Sequence, residues 1–276
     1  GSVWARLGTK VDIIESLPRI ATIFDESVTQ PLQELLQKQG IKFHLNTRVE
    51  SAEKTKTGIK LTASKDNNKI ELEAEKILIA VGRKPNTDNL EAAKIKIELD
   101  ERGFIQIDAN WQTNISGIYA IGDVVAGPML AHKAEQEAIA VVERMAGKAG
   151  QVNYSTIPWV IYTSPEVAAV GLTEQEAKDK GFEVSTGIFP FQANGRAVAG
   201  AHSEGLAKII SNKKTDRVLG VQILSTNASE LIAEAVLLME FEGSTEDLAR
   251  TIHAHPTMSE GLREAAHVTM GEPLHL

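Results

Sequence analysis

The sequence predicts an α/β region followed by a separate α+β region. Short apolar strands and an amphipathic helix alternate over the first half, which is typical of parallel strands joined by crossover helices. From Tyr154 onward the pattern changes to strands interleaved with helices. Residues 147–153 are polar and contain glycine, so they are the predicted linker between the two regions.

The first residues are predicted to form a helix and then a strand that ends in an acid. Val3, Trp4 and Leu7 have helical spacing, and a strand over residues 10–15 ends at Glu15. This order is typical of the second half of a dinucleotide-binding βαβ unit, in which the acid binds the adenosine ribose. The glycine loop of such a unit lies about 20 residues before the acid, so it would precede this chain. A solvated acid at a strand end is the alternative interpretation of Glu15.

The rest of the first half is predicted to contain two helices, several strands and a hairpin. A helix over residues 28–40 has an apolar stripe at Leu32, Leu35 and Leu36 and ends at a glycine. Turn residues 66–68 separate the two strands of the hairpin. The predicted strands lie at residues 41–45, 59–63, 70–72, 76–81, 104–107 and 118–123, and the second helix lies at residues 132–146.

The second half is predicted to be a complete α+β domain. Its strands lie at residues 166–170, 187–191, 206–211 and 218–223, and its helices lie at residues 173–180 and 228–241. The second of these helices carries the apolar residues Leu231, Ala235, Leu238 and Met239. We expect these four side chains to form a large symmetric contact between two copies of the chain.

Composition excludes several classes of protein. The net charge of −8 does not provide the basic face that phosphate neutralisation needs, so no nucleic-acid partner is expected. No apolar run approaches the roughly 20 residues of a membrane span, and the opening segment, with Arg6, does not resemble a signal peptide. Because the chain has no cysteine, it contains no disulfide, thiolate metal site or cysteine nucleophile, which fits an intracellular location.

A histidine-proline turn near the end of the chain carries the clearest chemistry. Pro256 biases His255 away from helical geometry, so the imidazole ring is predicted to project from a rigid turn. A helix that starts near Ser259 would bring the Glu260 carboxylate back to that ring. A carboxylate on one ring nitrogen fixes the tautomer and leaves the other nitrogen free to accept a proton. The sequence therefore predicts a base and its orienting acid, without their nucleophile.

Two other interpretations of this segment stay open. In the first, Thr257 or Ser259 is a helix cap and the histidines are ordinary surface residues. In the second, His253 and His255 bind zinc, but no third ligand lies nearby in a recognisable motif. No metal is therefore expected.

Five ordered segments resemble the flavin-dependent pyridine nucleotide-disulfide oxidoreductases. Residues 253–260, with the pattern His-x-His-Pro-Thr-x-Ser-Glu, are similar to the end signature of that family. Residues 80–87 are similar to its AxGRxPN segment, and residues 113–123 are similar to its second flavin motif. Residues 129–132 are similar to the segment beside the isoalloxazine ring, and residues 163–171 are similar to the opening of its interface domain.

The resemblance implies three domains and a set of binding residues. Residues 1–82 would be the C-terminal part of a Rossmann-like NAD-binding domain, residues 83–152 a central FAD-contacting segment, and residues 153–276 the dimerisation (interface) domain. An acid at Glu15 favours NAD over NADP, because it would repel a 2′-phosphate. The implied NAD residues are Glu15, Val49, Gly82 and Arg83, and the implied FAD residues are Asp123, Met129, Leu130, Ala131 and His132. By the same resemblance, His255 removes a thiol proton and Glu260 orients His255.

Residues 127–134 and 253–257 are similar to the dihydrolipoamide dehydrogenase branch of that family. This resemblance implies an FAD-dependent homodimer that oxidises dihydrolipoamide with NAD⁺ and meets the lipoyl domain of a 2-oxo acid dehydrogenase core. The cytoplasm, or the mitochondrial matrix in a eukaryote, is the implied location. The redox disulfide and the first flavin fingerprint of the family have no counterpart here, so we expect a fragment that is inactive alone. A related NADPH-dependent disulfide reductase and a non-catalytic dimerisation or scaffold module are the alternatives.

Overall fold

The computed structural model describes residues 1–66 and 68–276, so Asn67 of the predicted hairpin turn lies outside the described residues. The chain divides into two compact units. The first contains residues 1–77 and 155–276, and the second contains residues 78–154. No helix in the described ranges is long and apolar enough to cross a membrane.

The N-terminal part of the first unit is a helix, a strand, a second helix and a second strand. These are α1 (Ser2–Arg6), β1 (Asp12–Ile14), α2 (Glu26–Lys38) and β2 (Lys42–His44). The strands pair in parallel, as a βαβ connection requires, and Leu32 and Leu36 of α2 are buried. The predicted helix and strand at the start of the chain are therefore confirmed, and β1, α2 and β2 form a βαβ connection.

An antiparallel sheet of three strands follows in the same unit. Its strands are β3 (Arg48–Lys54), β4 (Ile59–Lys65) and β5 (Asn68–Ala74), in that spatial order. The predicted hairpin corresponds to β4 and β5. The sequence analysis missed β3, because all of its residues are exposed and the strand lacks an apolar alternation.

The remainder of the first unit is a five-stranded antiparallel sheet with helices packed against it. The strands are β6 (Trp159–Ile161), β7 (Glu166–Gly171), β8 (Val184–Pro190), β9 (Leu206–Asn212) and β10 (Val218–Ser225), in the order β6-β7-β10-β9-β8. The helices are α4 (Glu174–Asp179), α5 (Gly195–Ala199), α6 (Ala228–Glu240), α7 (Thr245–Arg250) and α8 (Glu260–Thr269). Their shared core contains Ile209, Ile223 and Leu262, all fully buried, so the predicted α+β arrangement of this region is confirmed, and its boundaries as a separate domain stay a prediction.

The apolar stripe of α6 does not have the orientation that the sequence analysis expected. Ala235 and Met239 are buried in the core of their own domain, and Leu231 and Leu238 pack against that core. The expectation that these residues form the contact between copies is therefore wrong for Ala235 and Met239, and it stays a prediction for Leu231 and Leu238, which are only partly buried. The stripe covers the chain's own sheet, because a helix on a sheet first buries its most apolar face there. The large apolar side chains that α6 and its C-cap leave exposed are Leu237 and Phe241.

The second unit contains one long helix, α3 (Ala131–Met145), preceded by loops and turns. Three predicted strands in or beside this unit do not form. Residues 76–81 pair with no described strand, and residues 104–107 and 118–123 make only isolated bridges, through Ile105 and Tyr119. A continuous apolar run becomes a strand only where neighbouring strands accept its backbone hydrogen bonds, and none of the described strands does so here.

Candidate active site and cofactor-contacting residues

His255 and Glu260 form a hydrogen-bonded pair at the start of α8. The His255 Nδ1 atom lies 2.8 Å from the Glu260 Oε1 atom. The His255 side chain is 79% exposed, whereas the Glu260 side chain is 18% exposed. Within the described part of the chain, no hydrogen-bond partner occupies the His255 Nε2 atom. The pair therefore presents a ring whose outer nitrogen faces solvent and whose inner nitrogen is oriented by a carboxylate.

The Glu260 carboxylate is itself held by the turn that carries His255. The Thr257 N–H group donates to the Glu260 Oε2 atom at 2.7 Å, and the Thr257 hydroxyl donates to the Ala254 carbonyl oxygen at 2.7 Å. Partial burial opposes ionisation of Glu260, but the hydrogen bonds from Thr257 and His255 outweigh it, so the pKa of Glu260 lies below its ordinary value. The carboxylate is therefore ionised and fixed in position.

Replacing this carboxyl by an amide, Glu260→Gln, is expected to change the pH dependence of stability. The folded pKa is the lower one, so the ionised group stabilises the fold fully above its ordinary value of 4.5. That contribution disappears as the pH falls through the folded pKa. Urea unfolding should therefore show a larger loss of unfolding free energy at about pH 5.5 than at about pH 3. An equal loss at both pH values would contradict the assignment, and Glu230→Gln, at an exposed carboxyl, is the control.

The two alternative interpretations of this segment find little support in the structure. Ser259 occupies the N-cap position of α8, but its side chain makes no capping hydrogen bond there. His253 and His255 have different carboxylate partners, because the His253 Nε2 atom lies 2.6 Å from the Glu234 Oε1 atom. Among residues 1–66 and 68–276, no group of three or more His, Cys, Asp or Glu side chains is placed to hold a metal ion.

In the second unit, the turn at Gly122 and Asp123 is held by buried charges of α3. The side chains of Lys133 and Glu137 are 0% and 1% exposed, and their Nζ and Oε2 atoms are 3.1 Å apart. The Gly122 N–H group donates to Glu137 Oε2 at 2.7 Å, and Lys133 Nζ donates to the Gly122 carbonyl oxygen at 3.1 Å. Both backbone groups of Gly122 are therefore fixed by one ion pair.

The same ion pair is completed by two aromatic side chains. The Tyr154 hydroxyl donates to Glu137 Oε1 at 2.7 Å, and the Trp111 indole N–H donates to the Tyr154 oxygen at 3.0 Å. Burial, together with the hydrogen bond to Glu137, raises the pKa of Tyr154 to about 12. Tyr154 is therefore a neutral donor across the physiological range.

Of the residues predicted to contact FAD, Asp123 lies on this turn, Met129 and Leu130 directly precede α3, and Ala131 and His132 begin it. Asp123 directly follows Gly122 and is half-buried, and it forms an ion pair with Arg83, with Arg83 Nη2 and Asp123 Oδ2 2.5 Å apart. The N-cap of α3 is Leu130, whose side chain offers no acceptor. A carboxylate can accept hydrogen bonds from polyol hydroxyls, and a helix N-terminus favours electron-rich groups. The Asp123 carboxylate and the N-terminus of α3 therefore have the chemistry that a flavin contact needs, and the contact itself stays a prediction.

The residues predicted to border NAD fall in both units. Glu15 follows the parallel strand β1, and its Oε1 atom accepts from the Leu17 N–H group at 2.9 Å. None of the described residues hydrogen-bonds the Oε2 atom of Glu15, which suits an acceptor for a ribose hydroxyl. Val49 is half-exposed on β3. Gly82 has a φ of +118°, and an added Cβ there would meet nothing within 4 Å, so backbone strain alone favours glycine at this position.

The sequence analysis missed the buried residues that contact and fix the candidate site residues. Lys133 and Glu137 are four residues apart on a helix, which is the spacing of an ordinary surface ion pair. The contact between His253 and Glu234 joins residues that are 19 positions apart, and the contact between Trp111 and Tyr154 spans 43 positions. Only the i, i+4 spacing of the first pair was visible in the sequence, and it carries no information on burial.

Two models of known protein families match this chain. The family model described as "Pyridine nucleotide-disulphide oxidoreductase" matches residues 1–138. A second model, "Pyridine nucleotide-disulphide oxidoreductase, dimerisation domain", matches residues 157–266.

Curated relatives are similar over nearly the whole chain. The mitochondrial dihydrolipoyl dehydrogenase of Pisum sativum is 47% identical, over 100% of this chain and 56% of that protein. The dihydrolipoyl dehydrogenase of Cupriavidus necator is 48% identical, over 96% of this chain and 56% of that protein. Leghemoglobin reductase of Glycine max is 46% identical, over 99% of this chain and 53% of that protein. The chain thus spans a little over half the length of these relatives.

Solved structures show the same fold. The HOCl-induced flavoprotein disulfide reductase RclA of Escherichia coli has a TM-score of 0.88 and 26% identity, over 97% of this chain and 61% of that one. LpdA of Mycobacterium tuberculosis has a TM-score of 0.87 and 25% identity, over 96% of this chain and 57% of that one. With one family model covering half of its residues and a second covering its C-terminal domain, the chain belongs to the pyridine nucleotide-disulphide oxidoreductase family.

Proposed function

We propose that this chain is part of an FAD-dependent dihydrolipoyl dehydrogenase that oxidises dihydrolipoamide and reduces NAD⁺. The observation that carries the proposal is the pair of His255 and Glu260, with its exposed outer nitrogen and its ionised, anchored carboxylate. Two relatives named dihydrolipoyl dehydrogenase are 47% and 48% identical to this chain, and this similarity supports the same activity for the parent protein. A relative named leghemoglobin reductase is 46% identical.

The role proposed for His255 is proton transfer from a thiol. The Nε2 atom accepts the proton of a dihydrolipoamide S–H group, and the resulting thiolate is the nucleophile that attacks a disulfide. Glu260, which is hydrogen-bonded to Nδ1, fixes the tautomer of the neutral ring in which Nε2 is the proton acceptor, and it stabilises the charged ring after the transfer. Because the chain has no cysteine, the disulfide that accepts the two electrons must be supplied from outside these 276 residues.

The cofactor-contacting residues have binding and orienting roles in this proposal. Asp123 binds the flavin polyol, with the residues at 129–132 contacting the ring, and Glu15 binds the adenosine ribose of NAD. Val49, Gly82 and Arg83 stay predicted NAD contacts that rest on the resemblance alone. FAD, when bound, would supply the two-electron chemistry that links oxidation of the dithiol to reduction of NAD⁺. The carboxylate of Glu15 favours NAD, because a 2′-phosphate beside it would be repelled.

The parent protein is proposed to be a homodimer that meets a lipoyl domain on the core of a 2-oxo acid dehydrogenase complex. The match of residues 157–266 to a dimerisation domain supports the dimer, and the exposed Leu237 and Phe241 are apolar side chains available for a contact. We place the protein in the cytoplasm, or in the mitochondrial matrix if its source is a eukaryote. The names of several relatives include the word mitochondrial.

The proposal is tested with the full-length protein purified from its own gene. It should show a flavin absorbance spectrum and reduce NAD⁺, but not NADP⁺, when dihydrolipoamide is added. The 276-residue chain alone should show no such activity, because it contains no cysteine to exchange with the dithiol. Reduction of NADP⁺ in preference to NAD⁺ would support the alternative disulfide reductase. A full-length protein without flavin and without activity would support the scaffold alternative.

A further inference from the structure

A second histidine lies behind the turn that carries His255. The side chain of His253 is only 5% exposed, although it is two residues from the exposed ring of His255. The His253 Nε2 atom lies 2.6 Å from Glu234 Oε1 on α6, and its Nδ1 atom lies 2.9 Å from the Thr251 carbonyl oxygen. Both ring nitrogens of this buried side chain are therefore occupied.

The two partners of His253 constrain the form of its ring. A carbonyl oxygen can only accept a hydrogen bond, and an ionised carboxylate can only accept one. The Nδ1–H group of His253 therefore donates to the Thr251 carbonyl oxygen, and the Nε2 atom shares a hydrogen bond with Glu234 Oε1. The distance of 2.6 Å between His253 Nε2 and Glu234 Oε1 is short for a hydrogen bond that involves a ring nitrogen, so the contact holds the ring closely against α6.

These contacts attach the turn to the domain at both of its ends. On one side, Thr251 ends α7 and His253 reaches α6. On the other side, Thr257 and Glu260 bind each other at the start of α8, and the Asn194 amide donates to the Thr257 carbonyl oxygen at 3.0 Å. The backbone of His255 lies between these two attachments, so its position depends on both.

We infer that His253, held by Glu234, is a positioning residue for His255: it fixes the backbone from which the His255 ring projects toward a substrate thiol. This inference rests on the proposed function. It gives the hydrogen-bonded pair of His253 and Glu234 a place in thiol oxidation that the pair of His255 and Glu260 alone does not explain. Displacement of a reacting group by about 1 Å is enough to cost roughly a hundredfold in rate.

The test compares three variants of the full-length, flavin-containing protein. Glu234→Ala removes the acceptor of His253 Nε2, whereas Glu234→Gln removes the charge but keeps an amide oxygen that can accept. Glu230→Ala, an exposed glutamate one turn earlier on α6, is the matched control. Two reactions are measured for each: reduction of NAD⁺ by dihydrolipoamide, and oxidation of NADH by ferricyanide, which requires no proton transfer from a thiol.

We expect Glu234→Ala to lower kcat for dihydrolipoamide oxidation by about tenfold to a hundredfold, with an unchanged KM for NAD⁺ and an unchanged ferricyanide reaction. Glu234→Gln should recover part of this loss, and Glu230→Ala should resemble the wild type. Equal losses in both reactions, or no loss beyond that of Glu230→Ala, would overturn the inference while leaving the proposed function intact. A wild-type protein that does not oxidise dihydrolipoamide would overturn both.

Discussion

Replacement of His255 by glutamine in the full-length protein is expected to lower kcat for dihydrolipoamide oxidation by about a hundredfold to ten-thousandfold. The side chain of glutamine approaches the size of the imidazole ring and can still bond Glu260, but its amide does not accept a proton at neutral pH. The thiol would then have to lose its proton to water, and less thiolate would be present to attack the disulfide. Steady-state kinetics with dihydrolipoamide and NAD⁺ measure this effect directly.

The control for that experiment is the same substitution at another histidine. His202 is exposed and lies outside the turn that carries His255, so His202→Gln should retain wild-type kinetics. The His255→Gln variant should also oxidise NADH with ferricyanide at the wild-type rate, because that reaction needs no thiol proton transfer. A wild-type rate of dihydrolipoamide oxidation in His255→Gln would exclude His255 as the base.

Removal of the buried carboxylate in Glu137→Ala is expected to lower the free energy of unfolding by about 3–5 kcal/mol. The substitution leaves the Lys133 ammonium group without its carboxylate partner in a position with no exposed surface. It also removes the acceptor of the Gly122 N–H group and of the Tyr154 hydroxyl. Because the turn before Asp123 then loses its anchor, the full-length variant should also be purified with less flavin. Urea unfolding and the ratio of flavin to protein absorbance measure the two effects.

A double variant separates the loss of a partner from the loss of packing. Lys133→Met with Glu137→Leu replaces the ion pair by apolar side chains of similar size, which proteins tolerate better than a single unpaired charge. We expect this double variant to be more stable than Glu137→Ala. A double variant less stable than Glu137→Ala would show that loss of the ion pair itself, and not the unpaired charge of Lys133, causes most of the loss of stability. Glu246→Ala, which breaks an exposed pair with Arg250, is the control and should change stability little.

Much of the fold followed from periodicity and turn residues. The helix stripe at Leu32 and Leu36, the hairpin of β4 and β5, and the alternation of strands and helices after Tyr154 all appear at about the expected positions. The strands that failed to form, above all residues 76–81, have the right local pattern but no described neighbour to pair with. A strand depends on hydrogen-bond partners that its own sequence does not specify, whereas a helix satisfies its backbone locally.

For the candidate site too, some contacts follow from local sequence and others depend on the tertiary structure. The sequence by itself determined the pair of His255 and Glu260. The two residues are only five positions apart, and a proline followed by the start of a helix brings the carboxylate back to the ring. Only the tertiary structure decided that Lys133 and Glu137 are buried, that His253 reaches Glu234, and that the stripe of α6 faces its own sheet. Local spacing places neighbours within one or two turns, but burial and contacts between distant segments depend on which surfaces pack together.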